Sequence, residues 1–168
     1  MVWIDAHPDI TLPGDPYPGY HAMAVTACMG HGDAKIVAEL PAAFDPSKIL
    51  FVGLRNWERG EIKARQHQYG IKHLTPEEVA ADSDALRAWL KSCGASKVVV
   101  HFDMDVLDPA EIVAAVGTDP DGMKIEAVIR VINDIAAEKE LVGLTVAEPM
   151  PRTAIRLRDM LGRLPLLE

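Results

Sequence analysis

Short apolar runs rich in β-branched residues recur at 2–4, 49–52, 97–102 and 141–146, each followed closely by Gly, Asp or Pro, with helical patterns between them. A strand buried on both faces reads as such a run, and a parallel neighbour needs a crossover helix, so the alternation predicts an α/β fold with a mainly parallel sheet. A weaker strand is expected at 70–74. Helices are expected at 20–29, 58–69, 76–91, 124–139 and 152–164. In the fourth, Ile125, Val128, Ile129, Ile132 and Ile135 recur at three- and four-residue spacing and form one buried stripe. The 168 residues, 49% of them hydrophobic, suffice for one well-filled core and contain neither repeat nor low-complexity linker, which predicts one domain across 1–168.

Between residues 10 and 19 lie Pro13, Gly14, Asp15, Pro16, Pro18 and Gly19. That composition cannot sustain a helix or a central strand, so the chain must loop directly after its first strand. In open α/β sheets the loops at the carboxyl ends of strands line the ligand crevice, and chemistry is expected beside this one. Charge narrows what the crevice takes. With 25 acidic against 17 basic residues and a net charge of −8, neither nucleic acid nor an anionic membrane is an expected partner. Cationic molecules and metal ions suit the chain better. No apolar run approaches the roughly 18 residues of a membrane helix, and the first residues lack the basic-then-apolar pattern of a signal peptide, so the expected compartment is the cytoplasm. Cys28 and Cys93 stand apart without a CxxC or Cys/His cluster, which points to neither a disulfide framework nor a thiolate zinc site.

The first apolar run leads into Asp5, His7 and Asp9, and the third into His101, Asp103 and Asp105. An extended chain alternates faces with period two, so each set can aim its side chains one way at the end of a strand. Converging acids are costly unless something cationic compensates them. The plain alternative is loop acids and a helix-capping carboxylate. Two strands delivering acids and imidazoles to one sheet edge favour a hard or borderline divalent ion such as Mn²⁺, Mg²⁺ or Zn²⁺, and the number of ligands favours two ions sharing aspartates. Asp108, followed by Pro109, suits a turn outside the ligand set.

These segments resemble the DAHxD and SxDxDxxDP signatures of the ureohydrolases, the arginase and agmatinase family. Val52, Gly53, Leu54 and Arg55, with the stretch from Gly143 to Pro149, extend the likeness through nearly all of the chain. The resemblance implies a three-layer α/β/α fold, two Mn²⁺ ions per complete site, and hydrolysis of a guanidino C–N bond to urea and an amine. It implies that Asp5 and Asp103 bridge the ions, that His7 and Asp105 complete one position, and that Asp9 belongs to the other. It assigns His21 to proton shuttling and Glu148 to holding the guanidinium. Glu58 and Glu61 fall where relatives hold acids that meet a substrate amine; the alternative is a solvated first helical turn favoured by the dipole. The implied partner is a small cationic guanidino substrate. The residue types suit that chemistry: a carboxylate pairs with a guanidinium through charge-assisted hydrogen bonds, and a histidine with a pKa near ~6.5 can ferry a proton to a departing amine.

The chain also departs from the family pattern. Relatives carry a further ligand histidine in a GGDH-type segment upstream of DAHxD, and none occurs here. The expectation is a fragment or natural truncation in which the position built on Asp5, Asp9 and Asp103 lacks its imidazole, so that one ion is held instead of two. The second reading is therefore a non-catalytic fragment or pseudoenzyme with partial metal binding, and a third is a metal-dependent amidase or deacetylase on a related scaffold. An uncovered sheet edge predicts self-association into a homo-oligomer. The loop at 10–20 lacks the Asn and Ser with which arginases read the amino-acid carboxylate, which leaves the substrate open between arginine-like and agmatine-like. His101 stands at the family's serine position and is expected to touch a metal-bound carboxylate instead of the metal. His31, His67 and His73 match no signature and are expected to be structural or surface residues.

Overall fold

Successive residues of a strand feed opposite faces of a sheet, and here that alternation builds two cores. The structure, a computed structural model, describes residues 1–150 and 154–167, with Ile155 by its backbone alone. Val2–Ile4 (β1), Leu50–Val52 (β2), Lys72–Leu74 (β3), Lys97–Asp103 (β4) and Glu140–Ala147 (β5) form a sheet in the order β3-β2-β1-β4-β5, every pair parallel. One face sends Val2, Ile4, Leu50, Val52, Val100 and Phe102 against α4 (Asp84–Ser92), α5 (Ile125–Glu138) and α6 (Ala154–Leu161). The other sends Met1, Trp3, Ile49 and Phe51 against α1 (Ala24–Cys28) and α3 (Gly60–Tyr69). A short α2 (Ala34–Val37), capped by the Asp33 side chain on the Lys35 N–H at 2.9 Å, has no counterpart in the sequence periodicity. This is the layered parallel α/β architecture expected. Among the described residues no helix is long and apolar enough to cross a membrane.

Register places the chemistry. Ile4 pairs with Val52 on one side and Phe102 on the other, so the next residues, Asp5, Gly53 and Asp103, leave the three central strands at one level. Gly53 has φ 84°, and a Cβ there would collide with the Val106 side chain. Only glycine lets the exits of β2 and β4 pack directly.

Four helices differ from their expected spans. The run at 76–91 is broken into a 3₁₀ turn at Glu77–Val79 and α4. The reason is long-range: Arg130 of α5 takes the carbonyls of Val79, Ala80 and Asp82, and the Asp82 carboxylate caps the Asp84 N–H at 3.0 Å. Acceptors that a continuous helix would use are thereby occupied. The helix expected at 20–29 opens as a 3₁₀ turn at His21–Met23 before α1 begins, where the Thr26 hydroxyl bonds the Thr11 and Met23 carbonyls. The third starts only at Gly60, because Glu58 sits at φ 58°. The helix expected at 152–164 ends at Leu161, and its amino end lies outside the described residues.

The loop at 10–19 is tied down. Arg65 of α3 donates to the Ile10 carbonyl at 2.9 Å and grips Asp15 with both terminal nitrogens, at 2.6 and 3.0 Å, while Asp15 accepts the Leu12 N–H at 2.8 Å.

Ile132 is fully buried in the α5 stripe. Ile132→Ala should lower the unfolding free energy by about 2–5 kcal/mol, whereas Val116→Ala, at an 84% exposed position, should stay within roughly 0.5 kcal/mol. Urea unfolding of both variants checks the pair, and equal costs would refute this placing of the core. The Arg65 guanidinium also holds the Asp15 carboxyl below its ordinary value. A carboxyl lowered in the folded state adds stability above its unfolded pKa and loses it as pH falls through the folded value. Asp15→Asn should therefore cost about 1 kcal/mol at neutral pH, allowing for solvent screening, and nothing in strongly acidic buffer. A cost that persists in acid would contradict the pairing.

Candidate metal centre

Trp3 and His101 face each other across β1 and β4, and their rings stack with centroids 3.7 Å apart and planes at 17°. The Trp3 Nε1–H donates to Asp5 Oδ2 at 2.9 Å, and His101 Nδ1 meets the Thr145 hydroxyl at 2.7 Å. The aromatic pair is thus the floor on which Asp5 and Asp103 stand. Beyond those two acids the chain stops being extended. Asp103 accepts the Asp105 N–H at 2.9 Å and opens a 3₁₀ turn at Met104–Val106, and the His7 N–H folds back onto Asp5 Oδ1 at 2.6 Å. These turns, not strand alternation, unite His7 with Asp105: Nδ1 lies 2.8 Å from Asp105 Oδ2, and the Ala6 N–H donates to Asp105 Oδ1 at 3.1 Å.

The result is a dense group of oxygen and nitrogen donors. Among the described residues, three overlapping sets each bring ligand atoms within 4.8 Å of one another: Asp5, His7 and Asp105; Asp5, His101 and Asp103; and Asp103, Asp105 and Glu148. Burial and mutual repulsion dominate their ionisation. Burial pushes Asp5 up to about 7 and Asp103 up to about 8, the latter also repelled by Asp5 and Asp105. Asp9 is driven well above its ordinary value by burial and by Asp5. Burial works to lower His7, but its carboxylate partners outweigh it and raise the imidazole to about 11. Burial likewise opposes Asp105, yet the His7 contact and the Ala6 N–H hold it below the usual carboxylate range. His101 is pushed by burial to about 4, so its ring is neutral at neutral pH. Carboxylates that cannot all ionise together, beside neutral or displaceable imidazole nitrogens, form a donor set suited to a divalent cation of hard or borderline character. The residues present fit such an ion.

A cavity of about 430 Å³ opens above this group, and among the described residues its acidic and imidazole lining is Asp5, His7, Asp9, His21, Glu58, His101, Asp103, Asp105 and Glu148. No Lys or Arg lines it among the described residues. Asp9, Glu58 and Glu148 have φ of 47°, 58° and 58°, a left-handed conformation that side chains adopt at some cost and that concentrates at functional sites. Asp9 lines the cavity but joins none of the three sets. His21 stands at the mouth, where Nε2 meets the Tyr17 hydroxyl at 3.1 Å. Glu61 does not line the cavity; it is bound to Arg59 at 2.8 Å. His101, expected to approach a carboxylate only, has a donor atom within reach of the same point as Asp5 and Asp103. Asp108 accepts from the Ala110 N–H at 2.9 Å and from Lys124, a turn residue outside the ligand sets.

Sequence reading missed several participants. Trp3 was discoverable, being two residues before Asp5 on the same strand face. Arg55 belongs to the stretch that resembles the family, but its contacts carry no sequence signal: its guanidinium donates to the carbonyls of Gly53, Asp105, Val106, Asp119 and Pro120 and ties the exits of β2 and β4 together. Trp57 lines the cavity with its Nε1–H on Gln66 at 2.6 Å. Asp119, in an aperiodic loop, carries no local signal.

Residues 1–159 match the arginase family. The arginase of Entamoeba histolytica is 29% identical over 157 residues, which are 90% of this chain and 52% of that protein. An N(omega)-hydroxy-L-arginine amidinohydrolase of Streptomyces lavendulae is 30% identical over 154 residues, 88% of this chain and 50% of the relative. The chain spans about half the length of these curated relatives. Among solved structures, Entamoeba histolytica arginase in complex with L-ornithine superposes with a TM-score of 0.85 at 23% identity, over 97% of this chain and 58% of that one. Formimidoylglutamase from Bacillus subtilis does so with a TM-score of 0.73 at 17% identity, over 90% and 45%, a likeness of fold. The paired acidic strand ends and the family match over nearly the whole sequence lead to one conclusion: the chain belongs to the arginase family.

Proposed function

We propose that this chain carries the metal-binding part of a hydrolase that cleaves a guanidino C–N bond and releases urea and an amine, in the manner of an arginase or agmatinase, with Mn²⁺ as the cation. The observation behind this reading is the set of overlapping donor groups that share Asp5, Asp103 and Asp105 under a cavity walled by acids. A cationic substrate and a pair of divalent ions are what such a wall attracts. In the proposed assignment Asp5 and Asp103 would serve both ions, His7 and Asp105 one of them, and Asp9 the other.

Divalent ions in these positions would supply Lewis acidity and a water of lowered pKa. The remaining work falls to side chains. Glu148, next to Asp103 and Asp105, is proposed to pair with the guanidinium and hold its carbon over the donor groups. His21, with Nε2 at the Tyr17 hydroxyl, is proposed to deliver the proton that the departing amine nitrogen needs. Glu58, at the cavity wall, would meet a far amine of the substrate, and Glu61 could do so only after leaving Arg59. A cytoplasmic setting completes the reading.

A second reading has its own support. Asp9 stands outside the donor sets. That favours one bound ion and no turnover, the behaviour of a partial or non-catalytic unit.

β5 ends the sheet among the described residues, with Val142 49% exposed and neither Lys nor Pro between 141 and 147. Unprotected edges of that kind pair with other chains, and a second copy of this chain is the proposed partner.

Reconstitution with Mn²⁺ followed by counting ions per chain, with urea assays on arginine, agmatine and other guanidino compounds, separates the two readings. Two ions with urea release support the hydrolase; one or none without turnover supports the partial unit. If the hydrolase reading holds, Glu148→Gln should keep its ions yet lose on the order of 10²-fold in turnover. Sedimentation should show concentration-dependent association that Val142→Lys weakens, and a monomer at every concentration would rule the edge pairing out.

A further inference from the structure

His7 has two ring nitrogens, and the donor set uses one. Nδ1 faces Asp105 and Asp5 at 2.8 and 3.6 Å. Nε2 points the opposite way, toward the loop after β4, where Asp119 Oδ2 lies 3.2 Å from it. Asp119 is itself clamped. Its other carboxylate oxygen accepts from Asn56 Nδ2 at 2.8 Å, its carbonyl accepts from Arg55 Nη2 at 2.9 Å, and the next carbonyl, of Pro120, accepts from Arg55 Nε at 2.9 Å. Arg55 also bonds the Gly53 and Asp105 carbonyls. A bracket thus runs from the exit of β2, through Arg55 and Asn56, to the carboxylate behind His7.

We propose that Asp119 is the positioning residue of His7, keeping the proton on Nε2 and the ring plane fixed so that Nδ1 presents its lone pair to a divalent cation between His7, Asp105 and Asp5. The physical basis is where the imidazole keeps its remaining proton once a cation takes the place of the one on Nδ1. A carboxylate beside one nitrogen holds the proton there and leaves the other as the donor, with raised basicity. Among the described residues the Asp119 carboxylate pairs with His7 and Asn56 and with no other member of the donor sets, so its role in the site runs through His7. The bracket also explains why Arg55, beside so many acids, spends its donors on carbonyls: it sets the loop, and the loop sets Asp119. The inference rests on the metal reading of this site and adds to it the group that aims the histidine.

The test uses the full 168-residue chain as wild type, Asp119→Ala, Asp119→Asn and Asn56→Ala. Calorimetric titration with Mn²⁺ should show affinity falling by about 10- to 100-fold in Asp119→Ala, largely recovered in Asp119→Asn, whose amide oxygen still accepts from Nε2–H. Asn56→Ala, which frees the Asp119 carboxylate without altering it, should fall between them and serves if Asp119→Ala does not fold. The second readout needs no bound metal: in chain labelled with ¹⁵N-histidine, the His7 Nε2–H signal should be present in wild type and Asp119→Asn and lost to exchange in Asp119→Ala. An Asp119→Ala chain with wild-type Mn²⁺ affinity and an intact signal overturns the proposal. So does weakened affinity with an unmoved signal, since Asp119 would then act only through its charge. If wild type takes up no Mn²⁺, the metal reading fails by itself, and the metal-free signal still decides whether Asp119 positions His7.

Discussion

Two carboxylates leave neighbouring parallel strands at the same level, each nearly sealed from water, and their repulsion and lost solvation are the cost around which the carboxyl edge of the sheet is arranged. Asp5 and Asp103 are 2% and 8% exposed. Neither can be relieved by moving, because β1 lies between β2 and β4 and its register is held from both sides. Local donors compensate in part: the Trp3 indole and the His7 N–H on Asp5, and the Asp105 N–H on Asp103. The His7 imidazole, wedged between Asp105 and Asp119, adds positive charge. What remains uncompensated raises the pKa of three of the acids, and it is this residual field that suits the place to a cation.

Arg55 shows how the fold braces such a site without cancelling it. A guanidinium this close could have neutralised the acids and spoiled them as ligands. Instead its donors face carbonyls of the β2 and β4 exits and of the loop at Asp119, so it stiffens the frame while leaving the carboxylate oxygens open. Gly53 makes that frame possible by allowing the two exits to touch. Backbone strain is concentrated nearby, since Asp9, Glu58 and Glu148 all hold left-handed conformations on the cavity wall. Strain of roughly 1 kcal/mol or more per residue persists only where surrounding contacts enforce it, and the rigid sheet edge provides those contacts.

Much of the fold was legible because it rests on periodicity. Apolar runs of strand length between helical stripes can satisfy their backbone and bury their side chains in few ways, so the five strands and the α5 stripe could be read directly. The break at Ala80–Ser83 could not, because it depends on Arg130, distant in sequence, competing for carbonyls that a helix would otherwise use. The edges of helices near the cavity were misjudged for a related reason: Glu58 adopts a conformation that helix propensity does not anticipate.

The chain's sequence by itself determined which residues carry charge and imidazole, and that they follow apolar runs; composition and spacing alone therefore placed Asp5, His7, Asp103 and Asp105 at strand ends. Only the tertiary structure decided how they meet, because Asp105 and His7 come together through turns beyond the strands, and a turn's course depends on what packs against it. Asp119 is the clearest case. Its contact with His7 spans more than a hundred residues of chain, and no local pattern encodes it, since the energy that places it comes from Arg55 and Asn56 on a different strand exit.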